Sequence, residues 1–237
     1  MTSRLIETEC TGPPTGRKEF YIRMNDQRSP AVEPFGFFFL RHGETTANSE
    51  GVCSGGECDV QLTAHGREQA DVAAQALSFA NPPPGLIVCG DLGRTRETAA
   101  IIQARLGVEV QSRAKLNERL LGDWNGRKST EVYPLLAAGK SPPGGESGDD
   151  FRARVLAAFS DLAPLYARWP TIVSSRGIAR VLMEHGRCTS AGSLPNGVIL
   201  RVVVAQPESF EIARVERVDG LPLAPAGCER TDGVKEG

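Results

Sequence analysis

Phe35-Gly-Phe-Phe-Phe-Leu40, running straight into Arg41-His42-Gly43-Glu44-Thr45, is the stretch that decides how this chain folds. Six apolar residues without alternation suit a strand covered on both faces, as in a parallel sheet between helices. Two further runs of the same kind follow, Leu86-Ile-Val-Cys89 and Thr171-Ile-Val-Ser174. Between them lie helical patterns. One runs from Thr63 to about Leu77, with Ala70, Ala73, Ala74 and Leu77 as its stripe, and is broken by Asn81-Pro-Pro-Pro-Gly85. A second covers 94–106. A third opens at Ser147-Gly-Asp-Asp150, a capping-box-like start with Asp in place of Glu or Gln. A fourth passes through Val181 and Leu182. Val108-Glu-Val110 reads as a short strand, 137–148 as a loop, and Val198–Ala205 with Phe210–Val218 as a terminal hairpin. Strands alternating with helices predict an α/β fold, three layers of α/β/α around a mostly parallel sheet.

The flanks differ. Residues 1–34 and 219–237 are polar, without periodicity, and read as an N-terminal extension and a C-terminal tail around one domain over 35–218. The chain of 237 residues carries 27 Lys+Arg against 29 Asp+Glu, a formal net charge of −2. That balance argues against a nucleic-acid partner. No apolar run is long enough to span a membrane. The first residues lack an apolar core of the secretory type, so a cytoplasmic location is expected. The cysteines Cys10, Cys53, Cys58, Cys89, Cys188 and Cys228 are scattered, and neither they nor His42, His65 and His185 stand at ligand spacing, so no metal is expected. His65 is read as a solvent-facing residue at a helix start, and His185 as a cation at a helix C-terminus.

In α/β sheets, ligands gather at the carboxyl ends of the strands. Here those ends carry Arg41-His42-Gly43, then Gly90-Asp91-Leu92-Gly93-Arg94, then Ser174-Ser175-Arg176-Gly177. Guanidinium forks grip phosphate oxygens at two points, and a neutral imidazole beside them is a nucleophile toward phosphorus. An isolated Arg-His pair after a strand is more often plain surface, and context must decide.

That context is a set of ordered motifs. Arg41-His-Gly-Glu-Thr-Thr-Ala-Asn48 resembles the signature of the histidine phosphatase superfamily, the phosphoglycerate mutase-like proteins. Asp59-Val-Gln-Leu-Thr-Ala-His-Gly-Arg-Glu-Gln-Ala70, Asp91-Leu-Gly-Arg94, Leu116-Asn-Glu118 with Gly122-Asp-Trp-Asn-Gly126, and Gly144-Gly-Glu-Ser147 with Phe151-Arg-Ala-Arg154 match further segments in order. The resemblance implies a phosphoglycerate mutase-like fold and a phosphomonoesterase acting on a small-molecule phosphate ester without a cofactor. It implies that His42 becomes a phosphohistidine and that Arg41 and Arg94 hold the phosphate. Asn48 adds an amide donor, Gly55 lets backbone approach the substrate, and Glu118 is the general acid and base.

One position departs. The family's last motif carries a second histidine, and Ser175 stands there within Val173-Ser-Ser-Arg-Gly-Ile-Ala-Arg180. Losing one preorganised donor costs about 10²–10³ in rate, about 3–4 kcal/mol, so slowed turnover with retained binding is expected. Three accounts stay open: a deliberate substitution in an ordinary enzyme, a natural variant in which Arg176 or a water replaces the donor, or a non-catalytic relative. The short stretch between Glu118 and Ser175 favours hydrolysis over a mutase reaction, the alternative. Loops 51–60, 119–148 and 187–197 are expected to set specificity, with Arg119 and Arg127 as candidates for a second anionic group. A homodimer through the terminal strands is a further expectation.

Overall fold

The computed structural model describes residues 34–188 and 194–218. In chain order they form β1 (Gly36–Arg41), α1 (Thr46–Ser49), α2 (Ala64–Ser78), β2 (Ile87–Cys89), α3 (Gly93–Leu106), β3 (Val110–Ser112), α4 (Ser129–Ala137), α5 (Gly148–Asp161), β4 (Thr171–Ser174), α6 (Arg176–His185), β5 (Ile199–Gln206) and β6 (Glu211–Arg217). Apart from Pro34, the expected extension and tail fall outside the described residues.

The strands form one sheet in the order β3-β2-β4-β1-β5-β6. β3, β2, β4 and β1 run parallel, while β5 pairs antiparallel with β1 and β6 antiparallel with β5. Alternation along β1 shows why its sequence has no polar face. Phe37 and Phe39 enter a core with Val155, Phe159, Ile178 and Leu182 of α5 and α6. Phe38 and Leu40 enter another with Ala73, Ala74, Leu77, Ala99 and Ile102 of α2 and α3. Both faces are thus covered by helices, and each buried Phe or Leu contributes about 1.5–3 kcal/mol.

The helix ends follow local chemistry. The Thr63 side chain caps α2 by accepting from the Gly66 N–H, and α3 stops at Gly107 in the left-handed conformation, φ 67°. At α5 the Ser147 hydroxyl accepts from the Asp150 N–H but also donates to its carboxylate at 2.7 Å. The short Asp side chain engages the hydroxyl where Glu or Gln of a capping box would reach the backbone.

Two expectations are corrected. β3 begins at Val110 rather than Val108, because the Ile87 N–H takes the Glu109 carbonyl and strand pairing starts one residue later. α4 interrupts the 119–148 stretch expected as a specificity loop, despite Pro134 inside the helix. It forms because Val132 packs with Cys53, Leu121 and Trp124 in a separate small core.

Register fixes the site. Arg41 stands opposite Ser174, and Cys89 opposite Val173. The ends of β1, β2 and β4 therefore open onto one rim.

Candidate active site

His42 follows β1 and is 5 % exposed. Its N–H donates to the Ser174 carbonyl at 2.9 Å, tying it to the end of β4. Its Nδ1 lies 2.8 Å from the Gly43 carbonyl oxygen. A carbonyl only accepts, so Nδ1 carries the proton and Nε2 bears the lone pair. Burial, then the charges of Arg94 and Arg41, push the imidazole pKa down to about 3. His42 is therefore neutral at physiological pH.

The guanidinium groups are built in differently. Arg94, in the first turn of α3, is 2 % exposed. It donates to the carbonyls of Cys58 (2.8 Å) and Gly55 (3.2 Å) and to the Ser54 hydroxyl (3.3 Å). Burial lowers its pKa, opposed by Glu118 and Asp59. Arg41 donates to the Leu194 carbonyl, while its buried Nε has no partner among the described residues. Its pKa falls to about 10, through burial first and then Arg176. Both stay charged at neutral pH.

Glu118 is fixed by backbone. One carboxylate oxygen accepts from the Arg119 N–H at 2.8 Å, the other from the Gly177 N–H at 2.9 Å. The second contact puts a carboxylate on the first turn of α6, where the helix dipole favours negative charge. A Cβ at Gly177 would stand 3.0 Å from Cδ of Glu118 and closer still to Oε1, so this approach requires glycine. Arg154 holds the segment from behind. It donates to the carbonyls of Lys115, Asn117 and Glu118 and pairs with Glu146 at 2.8 Å.

Arg41, His42, Asn48, Arg94 and Glu118 all line one cavity of about 330 Å³. Among the described residues its walls carry six arginines (41, 94, 119, 152, 176 and 180) against three carboxylates (Glu118, Asp149 and Glu184). With His42 neutral, the cavity carries excess positive charge and suits a multivalent anion.

Asn48 closes a capping box on α1, and its Oδ1 accepts from the Thr45 N–H (3.2 Å) and from Asn196 (3.1 Å). Both bonds consume the oxygen and leave the amide N–H₂ as the donor. Gly55 is not part of the lining. Its N–H goes to Asn125 Oδ1 at 2.7 Å and its carbonyl holds Arg94, so it supports the arginine rather than presenting backbone to the cavity. Ser175, the N-cap of α6, is 2 % exposed, with Oγ buried, without a partner among the described residues and off the lining. Of the two candidates for a second anion, Arg119 lines the cavity, whereas Arg127 pairs with exposed Glu131 at 3.1 Å. His65 sits beside Glu68 on the surface, and His185 meets the Phe210 carbonyl at 2.8 Å.

Several supporting residues escape sequence reasoning. Asn196 donates to the His42 carbonyl (3.0 Å) as well as to Asn48, tying the His42 backbone and the Asn48 amide together. Glu57 accepts from the N–H groups of Leu121 and Gly122 and from Asn125, fastening the 119–126 loop. Neither has a local signature, although Asn196 precedes a glycine at a strand entry, a turn signal. Tyr133, within the 119–148 stretch expected as a specificity loop, lines the cavity from α4.

A family description, histidine phosphatase superfamily (branch 1), matches residues 37–196. The chain is 35% identical over 161 residues to a glucosyl-3-phosphoglycerate phosphatase of Mycolicibacterium vanbaalenii, covering 64% of this chain and 69% of that protein. It is 33% identical over 139 residues to the glucosyl-3-phosphoglycerate phosphatase of Mycobacterium tuberculosis, covering 55% and 61%. That second match spans about three-fifths of the relative's length. Among solved structures, a mycobacterial glucosyl-3-phosphoglycerate phosphatase in complex with VO3 superposes with a TM-score of 0.65 at 27% identity, over 77% of this chain and 97% of that one.

Proposed function

The chain belongs to the histidine phosphatase superfamily, branch 1, and from that premise we propose that it hydrolyses a small phosphorylated metabolite through a phosphohistidine on His42. The observation that carries this reading is the imidazole itself. Its proton is fixed on Nδ1 by the Gly43 carbonyl, and burial with two arginines keeps Nε2 unprotonated.

In the first step Nε2 attacks phosphorus and the bond to the ester oxygen breaks. Glu118, which begins the cycle protonated, gives that oxygen its proton, so the alcohol leaves neutral and Glu118 becomes a carboxylate. Arg41, Arg94 and the Asn48 amide hold the phosphoryl oxygens while charge moves onto them. In the second step Glu118 takes a proton from water, the hydroxide attacks phosphorus and the N–P bond breaks. Inorganic phosphate leaves, and both His42 and Glu118 return to their starting states. The relatives' names support phosphatase chemistry. Ser175, with its hydroxyl off the cavity wall, adds no donor, and turnover depends on whatever cation serves that corner.

The test is labelling with ³²P-phosphoester followed by an acid quench. Acid-labile label on the unmodified chain, absent in His42→Asn, together with released phosphate, is expected. Phosphate release that persists in His42→Asn refutes the mechanism.

A further inference from the structure

Arg176 is the first residue of α6, next in the chain to Ser175. The Ser175 hydroxyl is buried and does not line the cavity, whereas Arg176 lines it with Arg41, His42, Arg94 and Glu118. The α6 corner of the site is thus furnished by a guanidinium.

The setting of that guanidinium is unusual for an arginine. Its Cζ lies over the Tyr133 ring, 4.4 Å from the centroid. Among the described residues it has no ion pair and no hydrogen bond. Arg119 donates to the Glu146 carbonyl, and Arg152 pairs with Glu184 at 3.3 Å. An aromatic face holds a cation without neutralising it. Stacking also uses only the flat face, so the N–H groups around the edge stay free to donate.

Arg176 also faces a like charge. Among the charges acting on Arg41, that of Arg176 does most to loosen its proton. Arg41, with an orphaned buried Nε, and Arg176, with no ion pair among the described residues, feel each other's charge, only partly offset by Glu118, so an anion between them is favoured. A phosphoryl group with charge on three oxygens is such an anion.

Resting on the phosphohistidine reading above, we propose that Arg176 is a further catalytic residue, a third guanidinium that grips the transferring phosphoryl group from the α6 side. Tyr133 is its positioning residue, holding the stem so that the donor edge points at phosphate. Arg180 and Glu184, one and two turns further along α6, also line the cavity and are left for the leaving group. The bonds made and broken are those already given. Arg176 donates hydrogen bonds as phosphoryl charge is rearranged and transfers no proton.

The experiment compares the unmodified chain with Arg176→Ala, Arg176→Lys, Tyr133→Ala and Tyr133→Phe. Single-turnover formation of acid-labile phosphohistidine is followed with p-nitrophenyl phosphate, whose leaving group has no carboxylate, and with 3-phosphoglycerate, whose leaving group has one. Vanadate inhibition is measured alongside, and thermal midpoints check folding. Arg176→Ala is expected to slow phosphorylation about 10²–10³-fold with both esters, and to weaken vanadate about ten- to a hundredfold. Arg176→Lys, which keeps the charge without the fork, recovers part of the loss. Tyr133→Ala falls between, and Tyr133→Phe, which keeps the ring, loses much less.

Unchanged p-nitrophenyl phosphate rates and vanadate inhibition in Arg176→Ala, with KM raised for 3-phosphoglycerate alone, overturn the proposal and make Arg176 a reader of the leaving group. Absence of phosphohistidine on the unmodified chain with either ester overturns the phosphatase reading itself, and with it this inference.

Discussion

Gly177→Ala tests the proposed general acid, Glu118, separately from the rest of the site. Gly177 lies in the first turn of α6, and its N–H is one of the two donors that hold Glu118. An added Cβ would stand 3.0 Å from Cδ and 3.2 Å from Oε2 of Glu118, with Oε1 nearer still. The obstructed atoms are the end of a flexible side chain, so the carboxylate yields and the helix does not. A retreat of about 1 Å takes Glu118 out of line with the leaving oxygen, and misplacement on that scale costs about 10²-fold. Helix propensity moves the other way, since alanine gains about 0.8–1 kcal/mol over glycine. One hydrogen bond to a charged group, worth about 1.5–3 kcal/mol, is weakened against it. Folding should change by no more than about 2 kcal/mol. The assay is kcat/KM on two esters. An alkyl phosphate needs its leaving oxygen protonated and should lose about 10²-fold, whereas p-nitrophenyl phosphate expels a stabilised phenolate and should lose less than tenfold. Equal losses on both esters, or none on the alkyl phosphate, would refute the assignment of Glu118 as proton donor.

Other consequences can be measured directly. With the His42 pKa at about 3 when folded against 6.5 as a free side chain, the unfolded chain binds a proton between those values that the folded chain refuses. This component of stability is complete above pH 6.5 and is lost as pH falls toward 3, at up to about 1.4 kcal/mol per unit. Melting curves across that window should slope less in His42→Asn, and parallel slopes would contradict the buried neutral imidazole. For the same reason, phosphohistidine formation should show no acid limb near pH 6.5 in single-turnover profiles. Asn196→Ala removes donors to the His42 carbonyl and Asn48 Oδ1; phosphate affinity should drop about tenfold by titration, with stability down about 1 kcal/mol by denaturant melts. Phe39→Ala, in the core against α5 and α6, should cost about 3–5 kcal/mol in the same melts.

Local patterns settled much of the architecture. A β1 with no polar face demanded helices on both sides of the sheet, and the alternation of Phe37 and Phe39 against Phe38 and Leu40 met that demand. The stripe of Ala70, Ala73, Ala74 and Leu77 specified the buried face of α2. Strand ends carrying Arg41, His42 and Arg94 pointed to one rim, and all three side chains line one cavity. These are short-range signals, in which neighbours along the chain share one burial pattern.

Other features arise from partners far apart in sequence. α4 replaces part of the loop expected over 119–148 and forms because Val132 completes a cluster with Cys53, Leu121 and Trp124. Gly55 turned from a substrate contact into a prop for Arg94 once Asn125 claimed its N–H. Asn196 meets His42 and Asn48 across about 150 intervening residues, and Arg176 finds Tyr133 on another helix. Residue type and spacing fix which face of an element is buried. Which donor meets which acceptor depends on strand register, helix placement and side-chain direction, and those exist only once the layers have packed.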